Sequence, residues 1–493
     1  MTERRRVLMI GLDALDHRLL SRWLSEGHLP NIAAFAAGSH RLSVRSIGRT
    51  LHGAIWPTFA MGQGPGQHGI YWWTQWLAEE GRYVRNSHGA FHYDPFWLDL
   101  AEAGKKVAIF DVPYTPALHR PGVWTANGWG LHDEMEPQSY PARLLPALRK
   151  RYGDHPLRAD TMHSMAPKAK RAMAAKMREG TSLRTRFLED FAGRTDWDLC
   201  IIGFSETHKA GHYLAVTDED LGEGETADSV LRRILEPLDA ALPRIVQAAG
   251  AGCDVYLFSL HGMDPQVDYS NLGRVLASYA QGRPVSTEAP ARDLIRRIRD
   301  LMPAGLQDRV WLALPPSVRN RRFGQTTTSG IGSDEKLFTV AHDSAFAVRI
   351  NLRSRETGGL VTDEEGTELL ARLEQASLAS QSDGGVPAFL EMLRVQELHP
   401  GPRAHRLPDA LVMPNPEIPK LKSLRLPDGT EVPNYVAEAR NGIHTGDGFC
   451  FLRTADGTSP RRDVLQGVDF APTLLRRFGL APRPELEGEA VLP

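Results

Sequence analysis

The sequence of 493 residues contains little cysteine. Its three cysteines, Cys200, Cys253 and Cys450, are scattered along the chain and form no CxxC pair. An odd number of widely spaced cysteines excludes a disulfide scaffold and a zinc ribbon, and it is typical of a reducing compartment. We therefore expect a cytoplasmic protein.

The sequence also lacks a surplus of charge of one sign. Lys and Arg number 58 and Asp and Glu number 60, which gives a net charge of −2. Proteins that bind nucleic acid normally carry a basic surplus or a basic stripe. We therefore expect no nucleic-acid partner.

Long hydrophobic runs are missing as well. A membrane-spanning helix needs about 20 consecutive apolar residues, and no window of the sequence approaches that length. The apolar run 7–12 after the basic N-terminus ends at Asp13 and is too short for a signal peptide. We expect no membrane association.

Short apolar runs do alternate with helical patterns. Strands are predicted at residues 7–12, 106–112, 197–204, 254–259, 338–352, 410–413 and 448–452, and helices at 15–24, 96–103, 227–249, 363–379 and 468–478. Such alternation is typical of an α/β fold, with a doubly wound, mostly parallel sheet and helices on both faces.

The stretch 264–335 differs in composition, because Pro, Arg and Gly are dense there. We predict that residues 1–263 and 336–493 form the α/β core and that 264–335 is an inserted, largely helical cap. A helix around 294–302 has an apolar stripe surrounded by arginines. We interpret these arginines as a solvated face, with binding of an anionic substrate as the alternative.

Polar residues follow three of the predicted strands. Asp13 comes after the first strand, Glu206 and His208 after the third, and His261 after the fourth. In open α/β sheets, ligands bind beyond the carboxyl ends of the strands. The alternative is that these residues cap helices or turns.

Two further histidines favour a metal site. His212 lies four residues after His208, which puts both rings on one face if the segment is helical. His444 stands in a glycine-rich segment that lets the backbone bend towards a site. Neutral imidazole is a common ligand for zinc and other transition metals, whereas surface or capping histidines are the alternative.

The stretch 50–70 combines hydroxyls, histidines and a Gly/Pro turn, and it begins with Thr50 and His52. A hydroxyl at a helix N-terminus beside metal ions suits phosphoryl transfer, because metals activate the hydroxyl and helix N–H groups hold phosphate oxygens.

In their order along the chain, these motifs resemble the type I phosphodiesterase/nucleotide pyrophosphatase family of the alkaline phosphatase superfamily. Residues 56–62 and 65–69 resemble its nucleophile helix and the following Pro-Gly-x-His-Gly turn, and 259–262 resemble its Ser-Asp-His-Gly motif. Later landmarks follow in the family's order at 349–356, 408–409, 442–444 and 469–473. The resemblance covers nearly the whole chain. It implies an alkaline-phosphatase-like fold and a metal-dependent hydrolase of small anionic phosphodiester or related phosphoryl or sulfuryl substrates.

The family has two metal sites, and the sequence departs from both. His208 stands where the family has an aspartate, and Leu260 stands where it has another. The resemblance implies one site from His208, His212 and His444, with Glu206 as a further candidate. It reduces the second site to Asp13 and His261, with completion by His52 as the alternative. Imidazole-rich ligands favour zinc, with iron or manganese as alternatives, in one or two ions.

The nucleophile position is also altered. Counted back from Gly62 without gaps, it falls on His52, and Thr50 is the nearest hydroxyl. We predict that His52 is a metal ligand or an acid–base group and that water attacks, with Thr50 as the alternative nucleophile. A diverged biosynthetic enzyme with a His-rich metal site and a metal-binding pseudoenzyme are the alternative functions.

Overall fold

The computed structural model describes residues 5–85, 91, 93–130, 137–157, 166–265, 272–285, 334–342, 345–418, 421–434 and 441–493. The arginine-rich helix predicted around 294–302, with Arg292, Arg296, Arg297 and Arg299, lies outside these residues.

The strands, in chain order, are β1 (Arg6–Leu12), β2 (His40–Arg45), β3 (Thr74–Leu77), β4 (Arg82–Arg85), β5 (Val107–Phe110), β6 (Val123–Asn127), β7 (Gln138–Tyr140), β8 (Leu199–Phe204), β9 (Asp220–Gly222), β10 (Glu225–Thr226), β11 (Cys253–Ser259), β12 (Met263–Pro265), β13 (Leu337–Val340), β14 (Phe346–Ile350), β15 (Gln381–Ser382), β16 (Phe389–Arg394), β17 (Ala410–Pro414), β18 (Ser423–Arg425), β19 (Glu431–Pro433), β20 (Gly442–His444), β21 (Asp447–Arg453) and β22 (Val464–Gln466).

The α-helices are α1 (His17–Ser25), α2 (Pro30–Ala37), α3 (Gly48–Leu51), α4 (Ile55–Met61), α5 (Pro65–His68), α6 (Trp97–Glu102), α7 (Leu144–Tyr152), α8 (Pro167–Ala192), α9 (Glu206–Leu214), α10 (Ala227–Arg233), α11 (Glu236–Ala249), α12 (Leu272–Ala280), α13 (Asp363–Ala379), α14 (Val395–Leu398) and α15 (Phe470–Arg477). Short 3₁₀ turns cover His52–Ala54, Ala404–Arg406 and Gly467–Asp469.

The main sheet contains nine strands of the described chain, in the order β22-β2-β21-β11-β1-β8-β5-β6-β7. The five central strands, from β11 to β6, run parallel to one another. Only β21 and β7 run antiparallel to their neighbours. The predicted mostly parallel sheet is therefore confirmed.

Helices cover both faces of this sheet. Successive side chains of a strand point to opposite faces, so each central strand contributes apolar side chains to both. On β1, Leu8 and Ile10 belong to an apolar cluster with α1, α2, α8 and α11. Val7 and Met9 belong to a second cluster, with α4, α6 and α15. The doubly wound arrangement follows from these two buried faces.

One long helix that we predicted is divided. The predicted helix 227–249 is observed as α10 and α11, which are separated by Ile234 and Leu235. Pro237 occupies the first turn of α11. Proline has no N–H to continue the hydrogen bonds of a preceding helix but is well suited to start a new one.

Strands β13, β14, β16 and β17 form a separate four-stranded sheet, and β15, β18 and β19 form a small three-stranded one. Together with α12 and α13 they enclose their own apolar cluster. We predicted 336–493 to complete the α/β core, but of this stretch only β21 and β22 pair within the main sheet. We therefore propose that the insertion extends through β19.

No helix in the described part of the chain combines the length and the apolar character needed to span a bilayer.

Candidate metal centre

The carboxyl ends of three neighbouring strands bring the first predicted site residues together. Strand β1 lies between β8 and β11, and Leu12 is level with Phe204 in the parallel register. Asp13 follows β1, α9 follows β8, and His261 follows β11. The backbone N–H of Asp13 donates to the carbonyl of Phe204 at 3.0 Å. This edge of the sheet is the base of the candidate site.

His444 reaches the same edge through a short strand pair. It lies on β20, which runs antiparallel to β12 with Met263 opposite His444. At Gly442, a Cβ atom would lie 2.2 Å from the carbonyl oxygen of Gly211 in α9. Only glycine therefore allows β20 to pack this closely on α9.

Three of the predicted ligands form one compact group. His208, His212 and His444 each offer one ligand atom, and these atoms lie within 4.8 Å of one another. Their ring centroids are 4.8–4.9 Å apart. In the part of the chain that the structure describes, this is the one group of three His, Cys, Asp or Glu residues with such spacing.

Hydrogen bonds define which nitrogen of each helical histidine points to the centre. His208 Nδ1 lies 2.8 Å from Asp13 Oδ2, and His212 Nδ1 lies 3.0 Å from the carbonyl oxygen of Gly442. Both oxygens are acceptors, so each Nδ1 carries the proton and donates. In the neutral rings, both Nε2 atoms then carry a lone pair.

These two Nε2 atoms lie only 2.9 Å apart. Two lone pairs at that distance repel each other unless a cation lies near both or one ring is protonated. The third member, His444, has a buried Nδ1 without a hydrogen-bond partner among the described residues. Burial, together with His52 and His208, lowers the pKa of His444 well below its ordinary value. The donor set therefore fits a divalent transition metal.

Asp13 and His261 lie beside this group. Asp13 Oδ1 accepts a hydrogen bond from Trp56 Nε1 at 2.8 Å, and His261 Nε2 is 3.9 Å from the same oxygen. The rings of His261 and His444 are 4.9 Å apart. Leu260, which the sequence resemblance aligns with the family's second metal aspartate, is fully buried in the apolar cluster with Trp56.

The structure does not bring Glu206 into the histidine group. Its carboxylate is bound by Arg184 of α8 at 2.8 Å and faces His155 at 3.3 Å. Burial opposes ionisation of this carboxyl, but Arg184 and His155 lower the pKa of Glu206 to about 2. Residues two apart on a helix point in different directions. Glu206 therefore binds Arg184 of α8 on one side of α9, while His208 lies on another side of the helix.

Of the two nucleophile candidates, His52 is the one in contact with the group. Its ring stacks on His444 with centroids 4.4 Å apart and an interplanar angle of 19°. The Thr50 hydroxyl donates instead to the carbonyl of Ile47 at 3.1 Å. Burial, with the neighbouring histidines, lowers the pKa of His52 well below its ordinary value.

Sequence reasoning missed His342, a residue of the separate four-stranded region. Its Nε2 lies 2.6 Å from the carbonyl oxygen of Thr50, and its Nδ1 accepts the N–H of Ala345. The ring contacts His52 edge-on at 5.4 Å and stacks on Trp72. Burial lowers the pKa of His342 to about 4. No local sequence signal marks this histidine, because its partner Thr50 lies 292 residues away along the chain.

Sequence reasoning also missed Trp56 and Arg184. The indole of Trp56 lies within the segment that resembles the family's nucleophile helix, so its position was a signal for a site contact. Arg184 lies in the middle of α8 and has no motif around it. Its role is visible only from the buried carboxylates of Glu206 and Asp111 that it binds.

Comparison with known proteins identifies the family that the chain matches. The profile of the type I phosphodiesterase/nucleotide pyrophosphatase family matches residues 7–418. No curated protein sequence matches the chain.

Solved structures with the same fold include two ectonucleotide pyrophosphatase/phosphodiesterases 5. An inactive variant of the murine protein in complex with AMP has a TM-score of 0.53 at 11% identity, over 99% of this chain and 100% of that chain. The human protein has a TM-score of 0.51 at 9% identity, with the same coverage. Alkaline phosphatase PafA has a TM-score of 0.52 at 12% identity, over 100% of this chain and 99% of that chain. These likenesses confirm the predicted alkaline-phosphatase-like fold.

Proposed function

The chain belongs to the type I phosphodiesterase/nucleotide pyrophosphatase family, and on this premise we propose that it is a metal-dependent hydrolase of small phosphodiester or related phosphoryl or sulfuryl compounds. His208, His212 and His444 hold a divalent transition metal in this proposal. Zinc is the first candidate because three imidazoles suit it, and iron and manganese are the alternatives. We propose a cytoplasmic location from the cysteine content.

The proposal depends on one observation above all. The Nε2 atoms of His208 and His212 lie 2.9 Å apart while both Nδ1 atoms face protein acceptors. Two neutral imidazoles repel each other in this arrangement, and a cation shared by the two Nε2 atoms would remove that repulsion. A divalent cation bound there supplies positive charge that polarises a phosphoryl oxygen.

The remaining residues have roles that follow from their contacts. The ring of His52 lies against His444 and is suited to take up a proton from an attacking water, or to act as a further ligand. His342 holds the backbone of Thr50 and contacts the edge of His52, which fixes the position of that ring. Thr50 remains the alternative nucleophile, and its attack would require it to release Ile47.

The altered nucleophile position favours a second candidate function. With an imidazole where the family has a hydroxyl, the chain is also suited to diverged chemistry on the same scaffold, such as a biosynthetic step. A fold alone does not fix the reaction. The two candidates differ in whether simple phosphate or sulfate esters are hydrolysed.

Metal analysis and a substrate panel test the proposal together. The full chain is purified without a histidine tag, and its metal content is measured by elemental analysis. Hydrolysis of nitrophenyl phosphate monoesters, diesters and sulfates is then measured before and after chelation and after addition of zinc, iron or manganese. His212→Ala removes one proposed ligand, and His405→Ala is the matched control because His405 is exposed and outside the site.

We expect stoichiometric metal, chelator-sensitive hydrolysis of at least one ester class, and loss of both in His212→Ala but not in His405→Ala. Metal binding without hydrolysis of any ester would favour the diverged enzyme or the pseudoenzyme. Equal metal content in His212→Ala and the natural protein would contradict the proposed centre.

A further inference from the structure

Asp13 occupies a central place in the site, yet both of its carboxylate oxygens already have protein partners. Oδ2 accepts from His208 Nδ1 at 2.8 Å, and Oδ1 accepts from Trp56 Nε1 at 2.8 Å. The residue is 1% exposed. A buried carboxylate with two N–H donors is satisfied without a metal.

The contact with His208 has a clear chemical consequence. A carboxylate that accepts from Nδ1–H fixes the tautomer and orientation of the ring and makes its other nitrogen a stronger ligand. His212 is fixed in the same way by the carbonyl of Gly442. Asp13 therefore stands in the position of a residue that orients a ligand.

The place where the family has its second metal offers few donors in this chain. Leu260 replaces a carboxylate, is fully buried and packs in the same apolar cluster as Trp56. His261 is 3.9 Å from Asp13 Oδ1, and the ring of His52 stacks on His444 and contacts Trp72 and His342 edge-on. Even with His52 counted, this place offers two imidazoles and one carboxylate oxygen that already accepts from Trp56 Nε1, whereas a zinc site uses three or four protein ligands.

From these contacts we infer that the centre binds a single metal and that Asp13 is a positioning residue for His208, with Trp56 and Leu260 filling the place of the second metal. This inference rests on the proposed metal centre, and it concerns how many ions bind and what Asp13 does. The chain keeps the family's first aspartate but uses it differently.

Cobalt(II) titration tests the inference directly, because the visible spectrum reports the ligand set and the titration reports the stoichiometry. The natural protein is expected to bind one equivalent. Asp13→Asn keeps an oxygen that accepts from His208 and should keep one equivalent and the same bands, with an affinity lower by about 10–100-fold. Asp13→Ala loses that acceptor and should bind more weakly than Asp13→Asn. Asp239→Asn is the control, since Asp239 is also buried but accepts hydrogen bonds from Asn31 and Ile32.

A gain-of-site variant provides an independent measurement. Trp56→Phe combined with Leu260→Asp releases Asp13 Oδ1 and restores a carboxylate, so the stoichiometry should rise from one towards two. Trp97→Phe is the control, because Trp97 is also buried but its indole N–H has no hydrogen-bond partner in the described residues. If the double variant does not fold, the cobalt spectra of Asp13→Asn and Asp13→Ala still show whether Asp13 is a metal ligand.

The outcomes separate the two hypotheses. Two equivalents in the natural protein, with one lost or the bands shifted in Asp13→Asn, would overturn the single-metal inference and leave the proposed function intact. No cobalt binding by the natural protein, or binding that is unchanged in His212→Ala, would overturn the proposed centre itself. One equivalent with retained bands in Asp13→Asn supports both.

Discussion

Helix α9 and the segment 48–61 both carry histidines of the candidate site, but they use their polar groups differently. On α9, His208 and His212 bind protein acceptors through Nδ1 and direct Nε2 towards each other. On the segment 48–61, the Thr50 hydroxyl and the Trp56 indole N–H are both used in hydrogen bonds within the protein. The Nε2 atoms of α9 are therefore directed to a place where a cation could bind, whereas these two polar groups of the segment 48–61 are hydrogen-bonded to protein atoms.

The two sides are also held in place by different means. Helix α9 is fixed by the buried pair of Arg184 and Glu206, with Asp111 3.3 Å from the same guanidinium. The segment 48–61 is held by apolar packing and by His342 from the insertion. The side that carries His208 and His212 therefore depends on buried charge, whereas the segment 48–61 depends on apolar packing and on the contact with His342.

The largest effect is expected from removal of His52, the residue of segment 48–61 whose ring stacks on His444. His52→Ala should lower kcat by about 10²–10⁴-fold, the usual range for loss of an acid–base group. Thr50→Val should change kcat little, because the Thr50 hydroxyl is bound to Ile47. Steady-state kinetics of both variants on the substrate that is turned over would check this. A large loss in Thr50→Val with activity kept in His52→Ala would reverse the assignment.

The anchoring of α9 by buried charge predicts a large stability effect. Arg184→Met leaves the carboxylates of Glu206 and Asp111 buried without their cation, which typically costs about 3–5 kcal/mol. The free energy of unfolding from urea denaturation should fall by that amount. Arg244→Met is the control, because Arg244 pairs with Glu189 at the surface, where ion pairs contribute little. Equal stability of Arg184→Met and the natural protein would mean that α9 is held by packing alone.

The close approach of β20 to α9 gives a third test. In Gly442→Ala the new Cβ would lie 2.2 Å from the carbonyl oxygen of Gly211, so β20 must move. We expect a destabilisation of about 1–3 kcal/mol, as for overpacked cores, and weaker metal binding because His444 moves with β20. Gly38→Ala, where the nearest atom is 3.7 Å away, serves as the control. Metal affinity that is unaffected by Gly442→Ala would remove His444 from the ligand set.

The smallest effect concerns His68, the histidine that follows segment 48–61. Its Nδ1 accepts from the N–H of Ile70, and its Nε2 lies 3.2 Å from the Thr58 hydroxyl. Burial, with His399 and Arg403, lowers the pKa of His68 to about 3. Between about pH 6.5 and pH 3 the unfolded chain binds a proton at this residue and the folded chain does not, so stability falls as the pH falls.

Replacement of His68 should therefore make the free energy of unfolding depend less steeply on pH below about pH 6.5. Each proton contributes about 1.4 kcal/mol per pH unit, and His68→Gln should reduce the slope between pH 6 and pH 4 by up to that amount. Unfolding free energies measured across this range would check it, with the exposed His405→Gln as the control. An unchanged slope would mean that the folded protein also takes up a proton at His68.

The fold was accessible from the sequence because its signals are local. The apolar runs of β1, β8 and β11 and the amphipathic pattern of α13 lie within single elements, and hydrophobic periodicity reports such elements directly. The division between α10 and α11 was missed although Pro237 marks it. The separate sheet of the insertion was also missed, since pairing between distant strands leaves no local pattern.

For the site, the sequence was enough to identify the candidate ligands. It showed histidines and Asp13 after predicted strands and the four-residue spacing of His208 and His212, and it showed that position 260 is a leucine without a ligand atom. The contacts of these residues became apparent from the folded chain. It showed that Glu206 binds Arg184, that Asp13 accepts from Trp56 and His208, and that His342 reaches Thr50. The physical reason is that a side chain's role depends on which atoms are within about 3 Å of it, and residues far apart in sequence become neighbours only when the sheet and the insertion have packed.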